Sequence, residues 1–254
     1  MGKWENAWFA GNNSVEANGM SVKAQAESGI LIKSLDNAQS TFSTSATAGM
    51  EDLPEELYPT STIDLSKWVH ATSSTKESED SKQDAANYEI LTADKLPDYV
   101  LKRTFAIRAA SQSQDINNVQ LAVTAVTAQA LTHNTDNLDK AIRVGVKIGA
   151  GAAEGSKFYI YAPQNGGFEL TANYAIPEGS DTASKKTEPT GPVGTADTMT
   201  LANDKIPADD SNLQAEIYIW FEGEDPNCKS ANIIGALDQI NVTVTFQSLE
   251  KTTV

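Results

Sequence analysis

Strict alternation of apolar with polar or small residues runs through residues 142–149, Ile-Arg-Val-Gly-Val-Lys-Ile-Gly. Successive side chains of a β-strand point to opposite faces, so this pattern predicts a strand with one buried and one exposed face. The C-terminal residues 240–247, Ile-Asn-Val-Thr-Val-Thr-Phe-Gln, repeat the pattern. Both stretches therefore predict strands of sheets that bury one face.

Further strands are indicated on either side of these two. A third run begins at residues 119–123, but Val126 is out of phase with it, which predicts a β-bulge near Thr124 and Ala125. Residues 217–221, Ile-Tyr-Ile-Trp-Phe, are apolar on both faces and predict a central strand covered on both sides. Other strands are predicted over residues 19–26, 29–34, 62–72, 87–92, 99–110, 157–162, 168–174 and 213–222.

Helical periodicity is scarce, since no segment keeps an apolar stripe at helical spacing through three turns. The sequence Asp225-Pro226 is typical of a helix start and predicts a short helix over 228–234, and residues 51–57 predict a second turn. The predicted fold class is thus an all-β sandwich with long loops and one or two short helices.

Two stretches, residues 73–86 and 177–207, are rich in Ser, Thr, Asp, Glu, Lys, Gly and Pro. They lack the apolar side chains that offset the entropy of ordering, and we expect both to be exposed loop excursions. The chain then reads as an N-terminal arm, residues 1–12, followed by a single sandwich domain over 13–254.

Charge and cysteine content exclude several classes of function. The chain carries 34 acidic and 19 basic residues, and its net charge of −15 repels nucleic acid and anionic membrane surfaces. No apolar stretch is long enough to span a bilayer. Cys228 is the single cysteine, so an internal disulfide and a CxxC metal site are excluded, which leaves a free thiol or a disulfide between two subunits.

Residues that support catalysis are few. Nucleophilic and general-base mechanisms use His, Cys or paired carboxylates held by neighbouring groups, whereas His70 and His133 are the two histidines and each stands alone. No nucleophile elbow, zinc-protease motif, phosphate-binding glycine loop or EF-hand spacing is present. We expect structural roles for both histidines, no cofactor, and no enzymatic activity.

A cluster of carboxylates marks the end of the strand predicted at 213–222. Glu222, Glu224 and Asp225 lie there, with further aspartates upstream at 204, 209 and 210. Calcium prefers such oxygen ligands, and these residues are candidate calcium or ligand contacts. The alternative is a solvated acidic surface, because the ligands show no ordered spacing.

Tyr159 and Tyr161 share one face of a predicted strand, opposite Phe158 and Ile160. An exposed pair of aromatic rings is a surface on which sugars stack. The alternative is a strand covered on both sides that buries the two tyrosines in the core.

The N-terminal arm concentrates aromatic residues. Trp4 and Trp8 are two of the four tryptophans, and Phe9 follows them directly. A chain end is usually disordered unless it docks, and an apolar extended end docks by adding a strand to an open sheet edge of its own chain or of a neighbour. Strand addition between neighbours, repeated without closure, produces a polymer.

Several segments resemble the TasA/camelysin-like secreted proteins of Gram-positive bacteria. The segments are Ala7-Trp8-Phe9-Ala10-Gly11-Asn12 followed by residues 15–22, Val-Glu-Ala-Asn-Gly-Met-Ser-Val, then residues 57–62 and residues 219–228. They lie mainly at the two ends of the chain. The protease label attached to camelysin is not carried over, because the zinc motif that would support it is missing here.

The resemblance implies a jelly-roll sandwich that is secreted and assembles head-to-tail into extracellular fibres of a biofilm matrix or cell surface. It implies that an N-terminal strand of one subunit completes the sheet of the next, with Trp4, Ala7, Trp8, Phe9 and Ala10 as the donor residues here. The expected partners are further copies of this chain and other matrix or cell-surface components.

Two other functions stay open from the residues alone. One is a monomeric cell-surface adhesin or carbohydrate-binding module that acts through Tyr159, Tyr161 or the loop 177–207. The other is a viral capsid or spike jelly roll, which also assembles and lacks catalytic residues.

Overall fold

The computed structural model of this chain describes residues 15–16, 21–27, 29–49, 56–62, 64–71, 88–131, 138–150, 158–164, 167–170, 198–209, 213–223, 228 and 239–251. The strands in chain order are β1 (Val15–Glu16), β2 (Ser21–Ala26), β3 (Ile30–Ser34), β4 (Ser45–Thr47), β5 (Glu56–Leu57), β6 (Ser61–Thr62), β7 (Trp68–Ala71), β8 (Tyr88–Ile90), β9 (Leu101–Ala109), β10 (Ile116–Asn117), β11 (Val119–Leu131), β12 (Ile142–Ile148), β13 (Phe158–Gln164), β14 (Gly167–Leu170), β15 (Thr198–Met199), β16 (Lys205–Ile206), β17 (Gln214–Phe221) and β18 (Gln239–Glu250). Short 3-10 turns lie at Leu96–Asp98, Leu138–Ala141 and Ala202–Asp204. The predicted all-β class is confirmed.

Two large sheets form the sandwich. The five-stranded sheet has the order β15-β11-β18-β2-β4, and the six-stranded sheet has the order β14-β13-β12-β17-β9-β3. In the five-stranded sheet β18 pairs antiparallel with β11 and parallel with β2, so the second strand of the chain lies beside the last. Two-stranded pairs β1-β5 and β10-β16 complete the periphery.

The main core lies between the two sheets. The alternation at 142–149 sends Ile142, Val144 and Val146 into it, and the alternation at 240–247 sends in Val244 and Phe246 from the opposite sheet. These side chains are almost fully buried. Each contributes roughly 1.5–3 kcal/mol relative to an exposed position, so the two quoted stretches are central to stability as well as to pattern.

A third layer covers the outer face of the six-stranded sheet. The small sheet β6-β7-β8 and the turn before β7 place Leu65 and Trp68 against Tyr218 and Trp220 in a second apolar cluster. Gly145 allows this close approach, because a Cβ there would lie 2.7 Å from Leu65 Cδ2 and 3.2 Å from Trp220 Cζ3. The predicted central strand at 217–221 is confirmed, since β17 lies between β12 and β9 with apolar side chains buried on both faces.

The bulge is also confirmed. The pairing of β11 with β18 runs from Val119 to Leu131 and shifts register between Val123 and Ala125. Thr124 is the extra residue, and its side chain is exposed. The bulge therefore allows β11 to keep its apolar side chains inward on both sides of the irregularity.

The single strand expected over 62–72 is wrong. β6 ends at Thr62 and β7 begins at Trp68, and Leu65 between them has φ 59°. The turn is held by Thr62 Oγ1, which accepts the N–H of Leu65 at 3.0 Å, and by Asp64 Oδ1, which accepts the N–H of Ser66 at 2.8 Å. Such hydrogen bonds from short side chains to nearby backbone compete with strand pairing.

The exposed excursion expected over 177–207 is wrong for residues 198–207. Strands β15 and β16 lie there, and Met199, Leu201 and Ile206 are buried in the main core. These three buried side chains are enough to dock the segment on the core. The composition of the whole stretch 177–207 is mainly polar and does not reveal them. The remainder of that excursion, and residues 73–86, lie outside the described residues.

The predicted helical segments have different outcomes. Residues 56–57 of the turn expected at 51–57 form β5 instead, and of the helix expected at 228–234 only Cys228 is described. Within the described part of the chain, no helix has the length and hydrophobicity needed to cross a membrane.

Candidate functional site

The donor residues Trp4, Ala7, Trp8, Phe9 and Ala10 lie outside the described residues. The chain is first described at β1, where Val15 pairs with Leu57 of β5. Leu57 is fully buried, and the N–H of Tyr58 next to it donates to the carbonyl of Asp98 at 2.9 Å. The segment that follows the arm is thus attached to the sandwich.

The long strand β11 has one open edge. One side pairs with β18 over the whole strand, whereas the other side pairs with β15 only at Leu121 and Ala122. Among the described residues no strand pairs with that side over 123–131, and we refer to this stretch as the open edge. Along this stretch of roughly 30 Å, every second residue directs its N–H and C=O groups to the open side. No described strand forms ladder hydrogen bonds with them there, and β14 lies close to β11.

The sequence of the open edge lacks the residues that usually prevent strand addition. Its sequence, Val-Thr-Ala-Val-Thr-Ala-Gln-Ala-Leu, contains no charged residue and no proline. Natural proteins commonly place lysine or proline on exposed edge strands to prevent pairing with other chains. The composition here is typical of an edge that another strand covers.

The open edge lies close to the start of β2. Ser21 pairs with Asn241 of β18, and Asn241 pairs in turn with Gln129 of the open edge. With neighbouring strands about 4.8 Å apart, Ser21 and Gln129 are separated by about 10 Å. The N-terminal region therefore enters the five-stranded sheet at the end where the open edge lies.

Glu222 is buried, so the alternative of a solvated acidic surface is wrong for this residue. Its side chain is 2% exposed, one carboxylate oxygen accepts the Ser61 hydroxyl, and the other accepts the Trp220 Nε1–H at 3.1 Å. The backbone joins the same elements, because the N–H of Gly223 donates to the carbonyl of Thr60 at 3.0 Å. Glu222 thus attaches the small sheet to the six-stranded sheet.

Of the other expected calcium ligands, the structure describes Asp204 and Asp209. Glu224 and Asp225 lie outside the described residues. Asp204 forms an ion pair with Lys251 at 2.8 Å, at the far end of β18. In the described part of the chain, no three His, Cys, Asp or Glu side chains are grouped as metal ligands.

Tyr159 and Tyr161 are core residues, so the sugar-stacking interpretation is wrong for both. They are 8% and 3% exposed and face the main core, while Ile160 faces the second cluster. The Tyr159 hydroxyl donates to the carbonyl of Thr198 at 2.7 Å, which fastens β15 to β13. The alternative interpretation, a strand covered on both sides, is confirmed.

The structure describes one of the two histidines, His70, as half-buried and the cysteine, Cys228, as buried. His70 Nδ1 lies 2.8 Å from the carbonyl oxygen of Pro59, and its ring packs edge-on against Tyr99 at 5.0 Å. The thiol of Cys228 is fully buried, so a disulfide to another subunit requires this region to open. His133 lies outside the described residues.

One polar cluster has no signal in the sequence. On the outer face of the six-stranded sheet, Lys102 Nζ lies 2.5 Å from Glu216 Oε1, and the Tyr218 hydroxyl donates to Glu216 Oε2 at 2.9 Å. Burial raises the pKa of Glu216, but the hydrogen bonds from Lys102 and Tyr218 together hold it below its usual range. Burial and the neighbouring Glu216 carboxylate raise the pKa of Tyr218.

This cluster predicts a pH dependence of stability. A carboxyl whose pKa is lowered in the folded state stabilises the fold above its unfolded pKa, and this contribution is lost as the pH falls through the folded pKa. We therefore expect Glu216→Gln to lose less stability than the parent chain between about pH 5 and pH 3, as measured by urea unfolding. Glu250→Gln, at an exposed position, is the matched control; identical pH profiles for the parent and Glu216→Gln would contradict the assignment.

Among the described residues, the open edge is the feature that most clearly indicates a partner. Comparison with known proteins adds no relative from which a function could be transferred, since no family model, curated protein or solved structure matches the chain.

Proposed function

We propose that this chain is a structural subunit of an extracellular filament, in a biofilm matrix or on a cell surface, and that it polymerises by donating its N-terminal arm to the open edge of the next subunit. The observation that carries the proposal is the open edge of β11, which pairs with no described strand and contains no charged residue and no proline. The partner is a second copy of this chain, and the activity is assembly rather than catalysis.

The arm and the edge are matched in length and character. Residues 4–10, Trp-Glu-Asn-Ala-Trp-Phe-Ala, span about 23 Å when extended, which is within the roughly 30 Å of the open edge. A strand added there forms backbone hydrogen bonds with β11, and its aromatic side chains gain burial at the side of the sandwich. Glu5 is the one charged residue in these seven, so charge repulsion is small.

The geometry of this contact favours a polymer over a closed dimer. The arm and the open edge are different surfaces, so each subunit donates one and offers the other. Such a heterologous contact repeats without closing unless the rotation between subunits happens to form a ring. Secretion is part of the proposal and is supported by the resemblance of residues 7–22 to TasA/camelysin-like proteins.

A monomeric sugar-binding module is less well supported. The two tyrosines that would have stacked on sugars are buried. The hypothesis then depends on the loop 177–207, whose described part is docked in the core.

Removal of the arm tests the proposal directly. We expect a chain lacking residues 1–10 to remain a folded monomer by circular dichroism and sizing, and to form no fibres in electron micrographs at concentrations where the full chain does. A synthetic peptide of residues 3–12 should bind the shortened chain, and a scrambled peptide should not. Fibres that persist after removal of the arm would overturn the proposal.

A further inference from the structure

The outer face of the five-stranded sheet carries a regular array of uncharged polar side chains. Rows run across the strands because the pairing is in register: one row crosses β11, β18, β2 and β4 at Thr127, Thr243, Lys23 and Thr47. The next row contains Ala125, Thr245, Gln25 and Ser45, and a third contains Asn241 and Ser21. We call these residues, together with Gln247, the polar face.

The polar face is accessible. Thr127 and Thr47 at its margins are exposed, and Thr243 and Thr245 at its centre are half-buried, as expected for central positions on a solvent-facing sheet. The opposite face of the same strands is fully occupied by the main core, with Val242, Val244 and Phe246 buried.

Charge distinguishes this face from the chain as a whole. The chain has a net charge of −15, but Lys23 is the one charged residue of the polar face, and Glu27 lies at its border. Thr124 donates a hydrogen bond to Glu27 at 3.4 Å, which directs that carboxylate across the sheet. The positive charge of Lys23 and the negative charge of Glu27 cancel, so the polar face together with its border carries no net charge.

Neutrality and chemistry together point to a second copy of this chain as the occupant. Two strongly acidic molecules repel each other least when the faces that meet carry no net charge. Hydroxyl and amide side chains donate and accept hydrogen bonds, so two copies of the face can satisfy each other. Sugars commonly stack on aromatic rings, and the residues of the polar face include none.

We propose that the polar face is a self-association surface through which neighbouring filaments pair side by side, with a two-fold axis passing near Thr243 and Thr245. The polar face measures about 19 Å across four strands and about 23 Å along them, or roughly 450 Å² per copy. Because a contact of this size is weak, the inference rests on the proposed function. Stable complexes bury about 1,200 Å² or more in total, so isolated subunits pair weakly. In a filament the same contact repeats along the length, and the contacts reinforce one another.

Cross-linking at the expected axis tests the pairing without depending on filaments. At a two-fold axis each residue meets its own copy, and sheets that pack face to face lie about 10 Å apart. Thr243→Cys and Thr245→Cys therefore place two thiols within reach of a bifunctional thiol cross-linker with a span of about 10 Å. We expect at least one of these variants to form cross-linked dimers about tenfold faster than Ser113→Cys, a control at an exposed position outside the polar face. If Thr243→Cys and Thr245→Cys both cross-link no faster than Ser113→Cys, the inference is overturned.

Added charge tests the same surface in the assembled state. Introducing Thr243→Glu and Thr245→Glu together should leave single filaments intact and abolish side-by-side bundles in micrographs of the full chain. The pair Gln112→Glu and Ser113→Glu adds the same charge at exposed positions elsewhere and should leave bundles unchanged. Bundling by the Thr243→Glu and Thr245→Glu variant would contradict the inference.

Salt and glycans separate this inference from its alternatives. Raising the salt from about 0.01 M to about 0.15 M shortens the screening length from about 30 Å to about 8 Å, so repulsion between the acidic bodies weakens and bundling should increase. Binding to neutral polysaccharides that is lost in the Thr243→Glu and Thr245→Glu variant would show a glycan surface instead. Absence of all filaments from the full chain contradicts the proposed function, whereas equal cross-linking rates contradict this inference alone.

Discussion

Trp220→Ala is expected to lower the free energy of unfolding by about 3–5 kcal/mol. Trp220 is fully buried, packs edge-on against Trp68 at 5.1 Å, and donates its indole N–H to Glu222 at 3.1 Å. Truncation removes the apolar contacts between the small sheet and the six-stranded sheet. It also leaves the buried Glu222 carboxylate with one hydrogen bond fewer. Urea unfolding followed by tryptophan fluorescence measures the loss.

Trp8→Ala is the matched control for this change. It removes the same side chain from the arm, and under the proposed function the arm docks on another subunit. We therefore expect Trp8→Ala to leave the stability of the monomer within about 0.5 kcal/mol of the parent and to reduce polymerisation. A loss of monomer stability similar to that of Trp220→Ala would show that the arm folds back onto its own sheet.

A proline on the open edge is expected to prevent polymerisation while the subunit stays folded. Successive backbone N–H groups of a strand point to opposite sides, so one of Thr127 and Ala128 directs its N–H to β18 and the other directs it to the open edge. Proline removes the N–H, and it is tolerated on the outer side of an edge strand but not within a ladder. One of Thr127→Pro and Ala128→Pro should therefore fold.

The folded proline variant is the informative one. We expect its critical concentration for fibre formation to rise at least about tenfold, because loss of even 1.4 kcal/mol of strand pairing changes the equilibrium by that factor. Pelleting of fibres over a concentration series measures this. The other proline variant serves as the control for disruption of the β18 ladder. A folded variant that polymerises like the parent would place the docking site elsewhere.

Local pattern was sufficient for much of the fold. The alternation at 142–149 and 240–247 predicted which side chains face the main core, and the phase change at Val126 predicted the bulge. The exposed face expected for 142–149 was wrong, because the third layer covers that side and Arg143 is 3% exposed. The turn at Leu65 could not be predicted from alternation, because an apolar residue there takes a positive φ that the side chains of Thr62 and Asp64 stabilise. Sequence pattern gives the faces of a strand, whereas its pairing partners depend on distant residues.

The candidate site depends on such distant pairing. Nothing in residues 123–131 indicates that one side of the strand is open, since that follows from where β18 and β15 lie. The burial of Glu222 could not be predicted from the sequence for a related reason. Its neighbours in sequence are acidic, which suggests an exposed position. In the fold, Glu222 lies on the outer face beside Trp220 and under the small sheet, where hydrogen bonds from Ser61 and Trp220 replace those that water would supply.

The parallel pairing of β2 with β18 has a consequence for the order of folding. Ser21 and Asn241 are 220 residues apart in sequence, and contacts of this range form slowly because a large loop must close first. The five-stranded sheet cannot be completed until the last strand has been synthesised. A chain under synthesis therefore keeps this sheet incomplete until residues 239–250 have emerged from the ribosome.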